Sequence, residues 1–185
     1  SVWDQTKDAL YLHGSFTQLE IPNISFAGYY YPKKEENNLD MELNLQAVRM
    51  QMLLPYVKEF CSEFDGLLSG SMTIKGSARK PEVNGLLNVS ANKIRVNYLN
   101  TYYKFNHDIV IENGSFGIEG MTIYDIPHNN KAVVNGKVYH DNFKNYQLDF
   151  DIRTNKFMCL NTTEADNSLY YGQAYVTGIV NIFGF

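Results

Sequence analysis

Hydrophobic and polar residues alternate along most of this chain. Within residues 66–91 (GLLSGSMTIKGSARKPEVNGLLNVSA), Gly70, Met72, Ile74 and Gly76 fall on every second position, as do Val83, Gly85, Leu87, Val89 and Ala91. A period of two sends successive side chains to opposite sides of a strand, so both runs predict strands with one buried face. The polar connection 77–81 separates them, and its Pro81 has no N–H to give to a ladder. Glycine inside a strand weakens it, so its recurrence marks a bend or a close backbone approach. A sheet that curls on itself needs such positions.

The same period predicts strands at 9–16 (Leu10, Leu12, Gly14, Phe16) and 39–47 (Leu39, Met41, Leu43, Leu45, Ala47), with an extended segment at 21–31 between them. It continues at 93–99 (Ile94, Val96, Tyr98), 116–126, 131–140 (Ala132, Val134, Gly136, Val138), 157–160 and 170–185. The cleanest case is 146–153, where Tyr146, Leu148, Phe150 and Ile152 alternate with Gln147, Asp149, Asp151 and Arg153. Residues 102–111 read as a strand, or a strand pair turning near His107-Asp108. KKEENN at 33–38, Asn113-Gly114, PHNNK at 127–131 and the polar stretch 161–168 supply the turns. The period changes only at 53–61 (LLPYVKEFC). Pro55 suits a first helical turn, and Tyr56, Val57, Phe60 and Phe64 would form an apolar stripe, so one short helix is expected there. In a β chain such a helix covers an edge or an open end, or docks a partner.

Self-similarity runs through this pattern. Leu39-Asp-Met-Glu-Leu43 matches Leu148-Asp-Phe-Asp-Ile152 at an offset of 109 residues. Gly70-Ser-Met-Thr-Ile-Lys-Gly76 matches Gly178-Ile-Val-Asn-Ile-Phe-Gly184 at 108, both as G-x-x-x-I-x-G. Residues 9–16 resemble 131–138 at 122. The chain 1–185 therefore reads as a single segment holding about one and a half copies of a ~110-residue unit, of the kind that buries its apolar edge on the next unit.

Composition supports β structure: 14 Tyr and 11 Phe accompany a single Trp. A net charge of −4 with no basic stripe argues against nucleic acid as a partner. No run approaches the ~18 apolar residues that span a bilayer as a helix. Ser1-Val-Trp-Asp begins in ordinary sequence with no leader, as expected of a processed form or a piece cut from a longer protein. Cys61 and Cys159 form no metal motif; they are read as two buried free thiols, or as one long-range disulfide. Asn-x-Ser/Thr sequons at Asn23, Asn88, Asn113 and Asn161 are expected by chance in a chain this rich in Asn and Ser.

Catalytic chemistry finds no foothold. The histidines at 13, 107, 128 and 140 lack ligand spacing, so no metal site is assigned. There is no nucleophile elbow, phosphate loop or Cys/His constellation, and no cofactor motif. Asp149 and Asp151 share a strand face as glycosidase carboxylates can, but solvent-facing alternation accounts for them. The Asp/Asn-rich turn 125–130 lacks the spacing of a calcium loop. The chain is not read as an enzyme.

The residues do carry a resemblance. Gly66-Leu-Leu-Ser-Gly-Ser-Met-Thr-Ile-Lys-Gly76 is followed by Lys80-Pro81 and Gly85-Leu-Leu; Ile123-Tyr-Asp125, Val134-Asn-Gly136-Lys-Val-Tyr-His140 and Phe143 follow; then Leu169-Tyr-Tyr-Gly172 runs into Ala174-Tyr-Val-Thr-Gly178. In order and spacing these resemble the C-terminal region of TamB-like proteins, within the AsmA-like group of bridge-like lipid-transfer proteins. The likeness covers about 39–185. It implies an all-β fold, an elongated and strongly curved sheet folded lengthwise into an open groove, the "β-taco". It also implies a place in the periplasm and envelope of a double-membrane bacterium, with an inner-membrane anchor in the parent protein outside this segment. The partners it implies are phospholipid acyl chains and an outer-membrane barrel of the Omp85 class, TamA-like. The roles it implies are lipid movement between the membranes, help in outer-membrane protein assembly, or both.

Alternation alone allows two arrangements of the apolar faces. They can meet in a filled core, or they can line a groove that shelters acyl chains. At about 0.8 kcal/mol per buried methylene, a chain of ~16 carbons has a strong preference for such a groove. The resemblance favours the groove. Its expected lining is Leu10, Leu12, Met41, Leu43, Leu45, Met72, Ile74, Leu87, Val89, Ile94, Val96, Val134, Val138, Leu148, Phe150, Ile152, Val176, Val180 and Ile182. The competing expectation is an extracytoplasmic β-sandwich that binds a glycan or a protein through exposed tyrosines such as Tyr29, Tyr30 and Tyr31.

Overall fold

The alternating runs become eleven strands of one antiparallel sheet, each paired with its neighbour in sequence. The computed structural model describes residues 1–18, 21–58 and 60–184. The strands are β1 (Val2–Asp4), β2 (Ala9–Gln18), β3 (Ile21–Tyr30), β4 (Leu39–Arg49), β5 (Cys61–Ser77), β6 (Lys80–Val96), β7 (Thr101–Glu112), β8 (Ser115–Asp125), β9 (Lys131–Asp141), β10 (Lys144–Thr162) and β11 (Gly172–Gly184). The sheet does not close into a barrel: β1 and β11 are its two edges. The chain is thus an all-β open curved sheet, and not the two-layer sandwich of the competing expectation.

Several boundaries differ from the sequence pattern. No turn interrupts β7 at His107-Asp108. Those residues lie opposite Val89 and Asn88, and the Asn88 side-chain amide donates to Asp108 Oδ1 at 2.7 Å, so the carboxylate is engaged across strands. The runs 146–153 and 157–160 are one strand, as are 83–91 and the first part of 93–99; β6 ends at Val96, and Tyr98 falls in the turn that follows. The helix expected over 53–61 shrinks to a 3-10 turn (Met50–Leu53) and a single α-turn, α1 (Leu54–Val57). Pro55 does start it, but no side chain caps either turn, and Cys61 already belongs to β5. Four residues are too few to sustain a helix on propensity. Phe64 becomes a strand residue and Phe60 stays exposed, while the side chains of Tyr56 and Val57, and Phe185 at the end of the last run, lie outside the described residues.

Cross-strand register decides which residues share a face. Following the partners from Leu10↔Tyr30 through Gly28↔Met41, Met41↔Ile74, Leu87↔Ile109, Val134↔Ile152 and Phe150↔Ile182 brings one set of alternate residues to one face across the whole sheet. That set is apolar. The opposite face carries Asp40, Lys75, Asn84, Glu82, Asp149 and Asp151 with their surface ion pairs.

Two three-stranded units match each other pair for pair. In β4–β5, Leu39, Met41, Leu43 and Leu45 face Gly76, Ile74, Met72 and Gly70. In β10–β11, Leu148, Phe150, Ile152 and Thr154 face Gly184, Ile182, Val180 and Gly178. Each ladder then skips at a bulge, between Leu45 and Val48 and between Thr154 and Phe157. The bulge residues Ala47 and Lys156 both adopt positive φ, 49° and 51°. Each N–H is taken up by a hydroxyl on the partner strand: Ala47 N donates to Ser69 Oγ (3.0 Å), Lys156 N to Thr177 Oγ1 (2.9 Å). Upstream, β3 stands to β4 as β9 stands to β10. A Cβ on Gly28 would lie 2.2 Å from the Asp40 carbonyl oxygen, and one on Gly136 would lie 2.1 Å from that of Asp149. Glycine is required at both places because the next strand folds in over it. The likeness between 9–16 and 131–138 is therefore not the structural one. It sets β2 against β9, whereas the hydrogen-bonded neighbours set β3 against β9.

Candidate functional site: an apolar trough divided by a lid

Every residue expected in the groove lies on the apolar face, but the face is not uniform. After β4 the chain crosses over it. Met50 is almost fully buried, and its Sδ would stand 2.6 Å from a Cβ on Gly66. Beneath this lid lie Val48, Leu68, Val89, Ala91 and Ile94, all buried, with Leu45 and Leu87 packed against them. Val89 and Ile94, expected to line an open groove, are therefore core residues under a cover, because the β4–β5 connection returns across the face.

Beyond the lid, β7–β11 curve around an open hollow of about 480 Å³. The expected residues Val134, Ile152, Val176, Val180 and Ile182 line it. Leu99, Tyr103, Ile123, Ala132, Thr154, Phe157 and Cys159 complete the wall, and sequence reasoning missed them. Phe157 and Cys159 escape a simple alternation count because the bulge at Lys156 shifts the phase: even-numbered residues face the hollow up to Thr154, odd-numbered ones at 157 and 159. On the other side of the lid a second hollow of about 470 Å³ is lined by Phe16, Ile24, Val48 and Met52, with Arg49, Gln51, Asn23 and Thr17 at its rim. The remaining expected residues, Leu10, Leu12, Met41, Leu43, Met72, Ile74, Val96, Val138, Leu148 and Phe150, lie on the same face outside both linings.

The curvature around the first hollow has a local cause. The β8–β9 hairpin is short, and the far half of β10 bends past its turn to reach the β6–β7 connection. Asn161 N donates to the Leu99 carbonyl at 2.8 Å. The Tyr103 hydroxyl donates to the Met158 carbonyl at 3.0 Å, and its ring stacks on Phe157 with centroids 5.1 Å apart. Asp125 pins the turn. Fully buried, it accepts from His128 N (3.0 Å) and Asn130 N (3.2 Å) on Oδ1 and from Met158 N (3.0 Å) on Oδ2. This carboxylate is thus committed to backbone amides.

The hollow contains no charge. Burial pushes the Tyr103 phenol up to about 12 and raises the Cys61 thiol above its ordinary range. Both cysteines are free. Charged pairs that do shift one another, Glu63 with Lys93 and Glu112 with Lys137, lie elsewhere: each carboxyl is held low and each ammonium high by their mutual hydrogen bond. Among the described residues, no cluster of three His, Cys, Asp or Glu side chains could hold a metal ion.

The tyrosines divide between the faces. Tyr30 pairs with Leu39 on the apolar face. Tyr29 stands on the polar face with Tyr11 and Tyr31, at ring separations of 5.1 and 6.3 Å. The ammonium groups of Lys7 and Lys34 lie over the Tyr29 and Tyr31 rings at 3.7 and 4.0 Å. Comparison of the chain with protein-family models, curated proteins and solved structures returns no match.

Proposed function

We propose that this chain is a non-enzymatic segment of a cell-envelope protein that shelters phospholipid acyl chains on its apolar face. The single observation that carries the reading is the hollow of about 480 Å³ bounded by β7–β11. It is within the usual size of small-molecule sites and is walled almost entirely by hydrocarbon. A site with no charge, whose Tyr103 and Thr154 hydroxyls are both engaged by carbonyl oxygens, offers a guest little beyond transfer from water, at about 0.8 kcal/mol per methylene. That suits an acyl chain and suits no polar substrate. The resemblance to TamB-like proteins supports the same reading. It extends it to the periplasm, to lipid movement between inner and outer membranes, to outer-membrane protein assembly, and to an Omp85-class barrel as partner.

Native mass spectrometry of the purified chain tests the reading directly, with phospholipid adducts as the expected result. Ile152→Arg and Val180→Arg place a charge in the hollow and should abolish photo-crosslinking to a diazirine-labelled phospholipid, with the circular dichroism spectrum unchanged. Leu148→Arg and Phe150→Arg, on the same face outside the lining, should weaken it less. Crosslinking that persists at full yield in folded Ile152→Arg and Val180→Arg chains sinks the proposal. The ladder Tyr11–Tyr29–Tyr31 favours a second reading, a module that binds a glycan on the polar face. Its signature would be glycan binding lost in Tyr29→Ala and untouched by Ile152→Arg.

A further inference from the structure

The two rims of the sheet, where its strands turn, are built differently. On one rim β1 turns into β2, β3 into β4, β5 into β6, β7 into β8 and β9 into β10, through residues 5–8, 31–38, 78–79, 113–114 and 142–143. These turns are rich in Lys, Arg, Asp and Glu, and Phe143 is the one large apolar side chain exposed in them. On the other rim β4 runs into β5, β6 into β7, β8 into β9 and β10 into β11. The side chains exposed there include Met52, Phe60, Tyr98, Leu169, Tyr170 and Tyr171, with Leu169 at 91%. The β2–β3 connection of this rim lies outside the described residues.

The apolar rim is continuous, and its backbone is held in place. Asn97 N donates to the Phe60 carbonyl at 2.8 Å, and the Asn97 side-chain amide donates to the Lys58 carbonyl at 3.0 Å. Asn161 N reaches Leu99, as described above, and the Asn100 side-chain amide donates to Asp166 Oδ2 at 3.2 Å. Asn167 Oδ1 accepts from the N–H groups of Leu169 (2.9 Å) and Tyr170 (3.3 Å). Three connections are thus bonded side by side, and together they keep Phe60, Tyr98 and Leu169 in water. Isolated surface hydrophobics need no explanation, but a contiguous set marks contact with a protein or a membrane.

Two observations favour the membrane. The side chains are of the interfacial kind, tyrosines with an apolar ring and a polar tip beside Leu, Met and Phe, and no charge occurs in 97–100 or 168–171. The rim also runs into both hollows: Met52 lines the one of about 470 Å³, and Leu99, next to Tyr98, lines the one of about 480 Å³. We propose that this rim seats on the surface of a phospholipid bilayer, with Phe60, Tyr98 and Leu169 entering the boundary between headgroups and acyl chains. The choice of lipid over protein rests on the acyl-chain reading given above. Seating the rim brings Met52 and Leu99, and the walls they belong to, up to the acyl region, so that a chain can pass in without crossing water. Lys58 is outnumbered on these connections by Glu59, Glu164 and Asp166, so the attraction is apolar and needs no anionic lipid.

The experiment uses fluorescence at the two rims. Trp3, the single tryptophan, pairs with Leu10 beside the charged rim and reports on it. Leu169→Trp in a Trp3→Phe chain reports on the apolar rim. The chain should co-float with phosphatidylcholine vesicles in low and high salt alike. Brominated acyl chains should quench the emission of the Leu169→Trp chain and leave Trp3 of the unaltered chain unquenched. Tyr98→Asp combined with Leu169→Asp should weaken flotation about tenfold with circular dichroism unchanged. That double variant keeps the phospholipid adduct of the hollow in native mass spectrometry, whereas Ile152→Arg removes the adduct and keeps flotation, so failure of either reading shows separately. The proposal is overturned by a chain that does not float, by equal quenching of Trp3, by flotation that high salt abolishes or that Ile152→Arg removes, or by a protein partner lost in the double variant while vesicle binding stays unchanged.

Discussion

β4–β5 and β10–β11 are nearly the same hairpin set in two environments. They share register, bulge position, a left-handed residue at the bulge, and the hydroxyl that accepts its N–H. Yet Leu68, in β5, is buried, while its counterpart Val176, in β11, is only half-buried. The difference comes from what lies around them. β5 has β6 at its side and Met50 above it; β11 has neither. Strand pattern fixes the hairpin, and neighbours decide whether its apolar face is core or open surface. That is why alternation by itself could not separate a filled core from a groove: this chain contains both.

The contrast can be broken most forcefully at its glycines. Gly70→Val should cost at least ~3 kcal/mol, because the new side chain collides with the β6 backbone. Gly178→Val should cost about 1 kcal/mol, from its positive φ alone. Urea unfolding of the two variants at one low protein concentration checks this, and equal costs would mean the two sites are not in different surroundings. The lid comes next. Met50→Ala removes a fully buried side chain and should lower stability by about 3 kcal/mol, whereas Val180→Ala at the open hollow should lower it by about 1.

The part of the sheet around the β7–β11 hollow should also be base-sensitive. The folded chain holds the Tyr103 phenol neutral up to about pH 12, while an unfolded tyrosine ionises near 10. Stability from this group is complete below about pH 10 and is lost as pH rises toward 12, by at most ~2 kcal/mol after allowance for its partial exposure. Tyr103→Phe should flatten that fall, measured by thermal melts across the alkaline range, though it gives up the hydrogen bond to Met158. The smallest effect should be a symmetric one. Ser69→Ala and Thr177→Val each leave a bulge N–H without its hydroxyl and should each cost about 1 kcal/mol in chemical denaturation. A cost at one bulge only would show that the two hairpins differ in more than their neighbours.

Much of the architecture was legible in the chain. Period-two runs located the strands, and the G-x-x-x-I-x-G match fell on register-equivalent residues of β5 and β11. Three things were not legible. Bulges at Ala47 and Lys156 arise from backbone conformation that neither residue type advertises, so Phe157 and Cys159 were missed. The equivalence of Gly28 with Gly136 was hidden because Gly14 offered a competing local match. The lid was read as a helix because Pro55 and the following apolar residues suit one. Which part of the apolar face is covered depends on Met50, which lies before the expected helix and which only the fold brings over Gly66.

The crossing at Met50 has a consequence for anything that travels. With Met50 seated, the apolar face holds two separate hollows and not one continuous trough. A long guest passing from β11 toward β2 must either leave the surface or lift the latch. Lifting it exposes a side chain that is now dry. On the proposed reading, passage would be stepwise, interrupted where the cover sits.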